Sequence, residues 1–235
     1  MTFVFLTAII ALLSLAYSHT TERELYVNFE PLPNQDDSWP AARAAIVSFR
    51  SEAGREFSEC RMLNSVEELA REGINLPKHM IKRASAEEMD DFERRCSRSA
   101  DRERFMIAPG TKWCGPGNKA ANYSDLGSLE ADKCCRTHDH CDNIPKGKSK
   151  YGLTNDGEYT LLNCNCDKAF DSCLQNAANK EANSVDKATT NAIKFAYFTV
   201  YAPKCYRLSC GGGRSDMEGR ACANAVGTWK SSYLA

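Results

Sequence analysis

After its first eighteen residues the chain has no apolar run that approaches the length of a bilayer span, so no membrane-crossing helix is expected in the mature product. It has no Gly-x-Ser-x-Gly elbow, which excludes the exposed serine nucleophile of that turn. It has no internal repeat and no sustained heptad, which excludes solenoids and coiled coils. Its twelve cysteines are not set out in the Cys-x-x-Cys pairs usual for zinc ligands. The net charge is only −1, and no nucleic-acid partner is expected.

The one long apolar run that is present comes first. Residues 2–16 contain FVFLTAIIALLSLA, followed by Tyr17 and Ser18. The run is short and N-terminal, and small residues flank Tyr17, as a signal peptidase prefers. Residues 1–18 are therefore expected to be a secretory signal peptide, although the segment before the apolar run lacks Lys and Arg. In an exported chain, twelve cysteines read as a disulfide framework. Cys60 and Cys96 stand apart from the ten that lie between Cys114 and Cys222.

Charge divides the chain at the same place. Residues 19–104 hold 14 Lys and Arg against 18 Asp and Glu, a net of −4, and residues 105–235 hold 16 against 13, a net of +3. This suggests an acidic pro-segment or accessory unit over 19–104 and an effector domain with an anionic target over 105–235. Residues 93–104, ERRCSRSADRER, have little apolar to bury and read as an exposed linker for a processing protease, with Arg104 the best-placed cut. The alternative is a solvated charged helix end. Cys60 and Cys96 either pair within the released piece or tie it to the domain.

In the front part, Ser65 to Glu68 and Ser85 to Glu88 are capping boxes that predict two short helices, and Leu25, Val27 and Phe29 alternate with polar residues as in a strand. The effector part opens on PGTKWCGPGN, residues 109–118, a loop whose glycines let carbonyls turn inward toward a hard cation. Residues 132–142, DKCCRTHDHCD, read as a helix capped by Asp132. Cys134, His138 and Cys141 fall on one face, and Cys135 and Asp139 on the next. A zinc site built on these Cys and His residues is the competing reading, and His140 is expected to be a surface or supporting residue.

A hairpin is predicted with Asn155-Asp156-Gly157 at its turn. A second helix is predicted along Cys166, Phe170 and Leu174 with Asp167 in its first turn, and a third from the Asn183 cap to Pro203. Asn122-Tyr123-Ser124 is an N-glycosylation sequon.

The motifs Trp113-Cys114-Gly115-Pro116-Gly117 and Cys134-Cys135-Arg136-Thr137-His138-Asp139-His140-Cys141 together resemble the group III secreted phospholipases A2, the bee-venom and scorpion-venom type. The resemblance extends through Tyr151 to Asn155, Cys164 to Asp167 and Lys204 to Tyr206. It implies a mainly α, small disulfide-rich phospholipase A2 fold, in which two antiparallel cystine-linked helices carry the site beside a Ca²⁺-binding loop, a third helix and a short β-hairpin. It also implies Ca²⁺ held by the carbonyls of Trp113, Gly115 and Gly117 and the carboxylate of Asp139. His138 is then the general base, Asp167 its orienting partner and Tyr197 a support for Asp167; ordinary core packing is the alternative for Tyr197. The implied cystines are Cys114 to Cys135, Cys134 to Cys173, Cys141 to Cys166, Cys164 to Cys205 and Cys210 to Cys222.

The expected activity is hydrolysis of the sn-2 ester of glycerophospholipids at a membrane or micelle surface. The competing function is a disulfide-scaffold toxin that binds a receptor or channel, with hydrolysis incidental or absent.

Overall fold

The computed structural model describes residues 21–30, 41–50, 56–96, 107–210, 222 and 224–234. The expected signal peptide, the Arg104 cut and the Gly211 to Gly213 stretch lie outside the described residues.

A four-stranded sheet organises the front of the chain. Strand β1 (Thr21–Glu30) pairs antiparallel with β2 (Ala41–Arg50), which pairs antiparallel with β3 (Glu56–Leu63). Helix α1 (Val66–Gly73) then leads to β4 (Ile81–Arg83), which joins the opposite edge parallel to β1, giving the order β3-β2-β1-β4. Helix α2 (Ala86–Arg95) closes the unit. Ser85 and Glu88 form the predicted reciprocal capping box. Ser65 caps α1 through the Glu68 N–H, but the Glu68 carboxylate turns to the Asn64 N–H instead. The expected linker from Glu93 is helical through Arg95, where Arg94 and Arg95 both pair with Asp91.

The pleat sorts the side chains. Leu25, Val27, Ala42, Ala44 and Ile46 enter one buried cluster, while Ala45, Val47, Ala84 and Met89 enter another, with Tyr26, Phe49 and Phe92 packed against it. Both faces of β2 are therefore covered. A strand buried on two sides has no polar alternation, so AARAAIV gave no period-two signal.

The remaining elements are held by cystines. Helix α3 (Ala131–Asp139) and helix α4 (Cys164–Lys180) are joined by Cys134–Cys173 and, just past the end of α3, by Cys141–Cys166. The reversed order of these links makes the helices antiparallel. Cys114–Cys135, Cys164–Cys205 and Cys210–Cys222 match the implied pairings, and Cys60–Cys96 closes within the front unit. No cysteine is free. Helix α5 (Ser184–Phe195), capped by Asn183, passes into a π-helical turn (Ala196–Tyr201) that ends at Ala202 in the left-handed region, just before Pro203.

Several expectations are corrected. The mainly α molecule gives way to a mixed one, because the front sheet adds as a block to the helices behind it. Asp132 does not cap α3, which begins at Ala131. Cys141 lies beyond that helix rather than on its face, since His140 already caps the C-terminus. The hairpin turns at Tyr151-Gly152, not at Asn155-Asp156-Gly157. Strand β6 (Ser149–Lys150) pairs with β7 (Leu153–Thr154), and Tyr151 and Gly152 both have positive φ, as a type I′ turn demands. Asn155 is buried instead, donating to the Ile144 and Tyr159 carbonyls. Strand β5 (Asn143–Ile144) pairs with β8 (Leu161–Leu162), and β9 (Cys205–Ser209) with β10 (Val226–Lys230).

Candidate active site

His138 and Asp167 face each other across the α3 and α4 pair. Both are almost wholly buried, and His138 Nε2 lies 2.9 Å from Asp167 Oδ1. A carboxylate can only accept, so the shared proton belongs to Nε2 and the ring keeps its basic lone pair on Nδ1. Tyr197 donates its hydroxyl proton to the same Asp167 oxygen at 3.0 Å. Burial first, and the Asp167 charge second, push the Tyr197 hydroxyl well above its usual pKa, which keeps it a donor. The imidazole is also clamped sterically. Phe170 stacks on it at 4.2 Å between centroids, and Tyr197 meets it edge-on at 5.0 Å.

Tyr197 reaches this position from the start of the π-helical turn, four residues after the buried Ile193, so it continues the buried stripe of α5. Asp139, at the end of α3, is half-buried, and its charge contributes to the raised Tyr197 pKa. His138, Asp139, Asp167 and Tyr197 are thereby brought into one neighbourhood.

The loop over Trp113 to Gly117 is pinned to α3 at two points. One is the Cys114–Cys135 cystine. The other was not anticipated: Asp132, in the first turn of α3 and fully buried, accepts the backbone N–H groups of Lys112 at 2.9 Å, Trp113 at 2.8 Å and Gly127 at 2.7 Å. An acid in the first turn of a helix is ordinary, so the sequence carried no sign that this one ties down a loop. Gly115 and Gly117 have φ of 149° and 67°, values that side-chain residues rarely adopt. The Ala108 N–H donates to the Cys114 carbonyl and the Lys119 N–H to the Lys112 carbonyl, which close the loop on itself.

Cys134, Cys135 and Cys141 are all spent in cystines, so the zinc reading fails for want of thiolates. Among the described residues no cluster of three or more His, Cys, Asp or Glu side chains could hold a metal. His140 is exposed, as expected, and donates from Nδ1 to the Arg136 carbonyl at 2.7 Å. Its ring lies beside Trp113 and Tyr123.

Known proteins resemble this chain along its whole length. The family model described as phospholipase A2 matches residues 107–209, the span that holds His138, Asp139, Asp167 and Tyr197. The chain is similar to phospholipase A2 hemilipin of Hemiscorpius lepturus, with 54% identity over 99% of both chains. It is also similar to a phospholipase A2 of Hoffmannihadrurus gertschi, 46% identical over 93% of this chain and 90% of the relative. Phospholipase A2 phaiodactylipin of Anuroctonus phaiodactylus is 51% identical over 66% of this chain and 98% of its own length. With a relative more than half identical along its whole length, this chain belongs to the phospholipase A2 family, in its group III branch.

Proposed function

We propose that this chain is a secreted, Ca²⁺-dependent phospholipase A2 that hydrolyses the sn-2 ester of glycerophospholipids to a lysophospholipid and a fatty acid. The observation that carries the reading is the buried series Tyr197, Asp167, His138, which ends on an imidazole nitrogen with a free lone pair. His138 Nδ1 takes a proton from water as that water attacks the ester carbonyl. Asp167 holds the tautomer and stabilises the imidazolium that forms, and Tyr197 holds Asp167. The imidazolium then returns its proton to the departing glycerol oxygen as the tetrahedral intermediate collapses. The proton books balance, with water split between acid and alcohol.

The residues present fit Ca²⁺. The carbonyls of Trp113, Gly115 and Gly117 and the carboxylate of Asp139 are hard oxygen donors, the loop backbone adopts the positive φ angles that glycine permits, and no thiol competes. When bound there, the ion would polarise the ester carbonyl and offset the negative charge of the intermediate. Asp132 and the Cys114–Cys135 cystine tie the loop to α3, the helix that carries His138.

Residues 1–18 act in this reading as a secretory signal, and residues 19–104 as a pro-segment or accessory unit cut near Arg104. Contact with the bilayer is interfacial in this reading; among the described residues no helix is long and apolar enough to cross a membrane. The test is release of labelled sn-2 fatty acid from phospholipid vesicles, with and without EGTA, by the secreted full chain and by the chain cut after Arg104. Ca²⁺-dependent release restricted to the sn-2 position is expected, with half-saturation at roughly 10⁻⁴ to 10⁻³ M because the site holds one carboxylate among neutral carbonyls. Undiminished release in excess chelator overturns the metal assignment, and no release from either form overturns the enzyme.

A further inference from the structure

The front sheet is finished by a helix from the other half of the chain. Its β1 and β2 turn Leu25, Val27, Ala44 and Ile46 to one face, and Phe29 packs against the same cluster. Helix α1 has only eight residues and cannot roof that face alone. Helix α5 and the π-helical turn complete it, so that Leu25, Val27, Leu63 and Leu69 share one buried cluster with Ile193, Phe195, Val200 and Tyr201. The approach is close. A Cβ added to Gly73 at the end of α1 would lie 2.8 Å from both Leu25 Cδ2 and Phe195 Cζ.

The rim is specific. Arg83, from β4, donates to the Tyr201 carbonyl at the C-terminal end of the π-helical turn, where unpaired carbonyls favour a cation. Its guanidinium sits 4.0 Å over the Phe29 ring, and Phe29 meets Tyr201 at 5.4 Å between centroids. Burial lowers the Arg83 pKa from its ordinary value, as expected of a cation desolvated in a contact.

The acidity of the front unit plays little part, because Arg43 lies against Glu30, Asp90 and Glu93, Arg61 against Glu68 and Glu72, and Lys82 against Glu24, all within that unit. Covalent bonds play none beyond the backbone. Cys60–Cys96 closes inside the front unit, and the other five cystines join residues 114–222 to one another.

We propose that residues 21–96 are a built-in subunit that stays docked, without a covalent link, on α5 and the π-helical turn after the backbone is cut between Cys96 and Ile107. Separation would expose Leu25, Val27 and Phe29 on one side and Ile193, Phe195, Val200 and Tyr201 on the other, a continuous apolar patch of the kind found in obligate interfaces. Tyr197 lies in the same turn, with its ring 5.6 Å from that of Tyr201, so the docked unit also braces the segment that supports Asp167.

The experiment uses the full chain carrying a single site-specific protease sequence within residues 97–104, cut without reductant. Mass is read by native mass spectrometry and light scattering, which do not depend on the proposed hydrolysis and so fail or succeed separately from it. The cut chain is expected to remain one particle of intact mass at micromolar concentration and to separate only on dilution well below that concentration or in denaturant. Arg83→Ala is expected to raise the dissociation constant of the two pieces by ~10-fold or more, because it removes a charge-assisted hydrogen bond and a cation–π contact. Arg83→Lys, which keeps the charge and most of the stem, guards against misfolding and is expected to weaken association by a smaller factor. Separation of the unsubstituted pieces in plain buffer at micromolar concentration overturns the proposal, as does an unchanged dissociation constant in both Arg83 variants.

Discussion

The carboxylate of Asp132 accepts the backbone N–H of Trp113 at 2.8 Å from inside the neighbouring helix, and neither group has appreciable access to water. Lys112 shares the same oxygen, so Asp132 Oδ1 fixes two successive peptide units at the entry to the glycine loop, while Oδ2 holds Gly127. Asp132→Asn puts an NH₂ group where at least one N–H now donates. Leaving a buried donor unsatisfied costs about 1 to 3 kcal/mol, and that loss is expected in denaturant unfolding with the cystines intact. Ca²⁺ half-saturation, followed by lanthanide luminescence, should shift to higher concentration. Unchanged stability and an unchanged metal midpoint would show that the loop is held by its cystine alone.

His138→Gln keeps a polar side chain of similar reach and removes the proposed general base. We expect the variant to fold, to retain Ca²⁺ and vesicle binding, and to lose at least ~10²-fold in turnover, the usual scale for a missing general base. Fatty-acid release measured beside a thermal melt separates the two effects. Turnover at the unsubstituted rate would move the base to another residue.

Three tyrosines make the fold sensitive to alkali. Burial raises Tyr197 and Tyr201 far above the ordinary phenol value and pushes Tyr159 up to about 12. Above roughly pH 10 the unfolded chain releases these protons while the folded chain keeps them. The native state then binds more protons than the unfolded state, so stability falls as pH rises. The melting temperature should be level through pH 9 and decline from about pH 10 to 11.5. Tyr197→Phe should shallow that decline, because phenylalanine has no proton to lose. The same variant should reduce hydrolysis by only a few-fold at neutral pH, since His138 and Asp167 remain in contact. An equal alkaline slope in both proteins would place the sensitivity elsewhere.

Much of the site was legible along the chain because its parts are local. His138 and Asp139 are adjacent on one helix, Asp167 sits in the first turn of the next, and Gly115 and Gly117 declare a loop by their own conformational range. The cystine pairings came only through family resemblance, since spacing alone leaves many connectivities open. The structure matches all five. The hairpin was misplaced because Asn155-Asp156-Gly157 has turn composition, whereas Tyr151 takes a positive φ that a tyrosine rarely adopts.

The chain by itself determined what depends on neighbours in sequence: the caps at Ser85 and Asn183, the stop before Pro203, the glycine loop and the histidine with its adjacent carboxylate. Tertiary structure alone decided what depends on residues far apart. Asp132 became a loop anchor rather than a cap because the backbone of Trp113 and Gly127 arrives beside it. Tyr197 reached Asp167 because α5 packs beside α4 and its buried stripe runs on to Tyr197. The front sheet found its missing cover on α5 because a short helix left one apolar face open, and burial of that face is non-directional, satisfied by whichever apolar surface the fold brings against it.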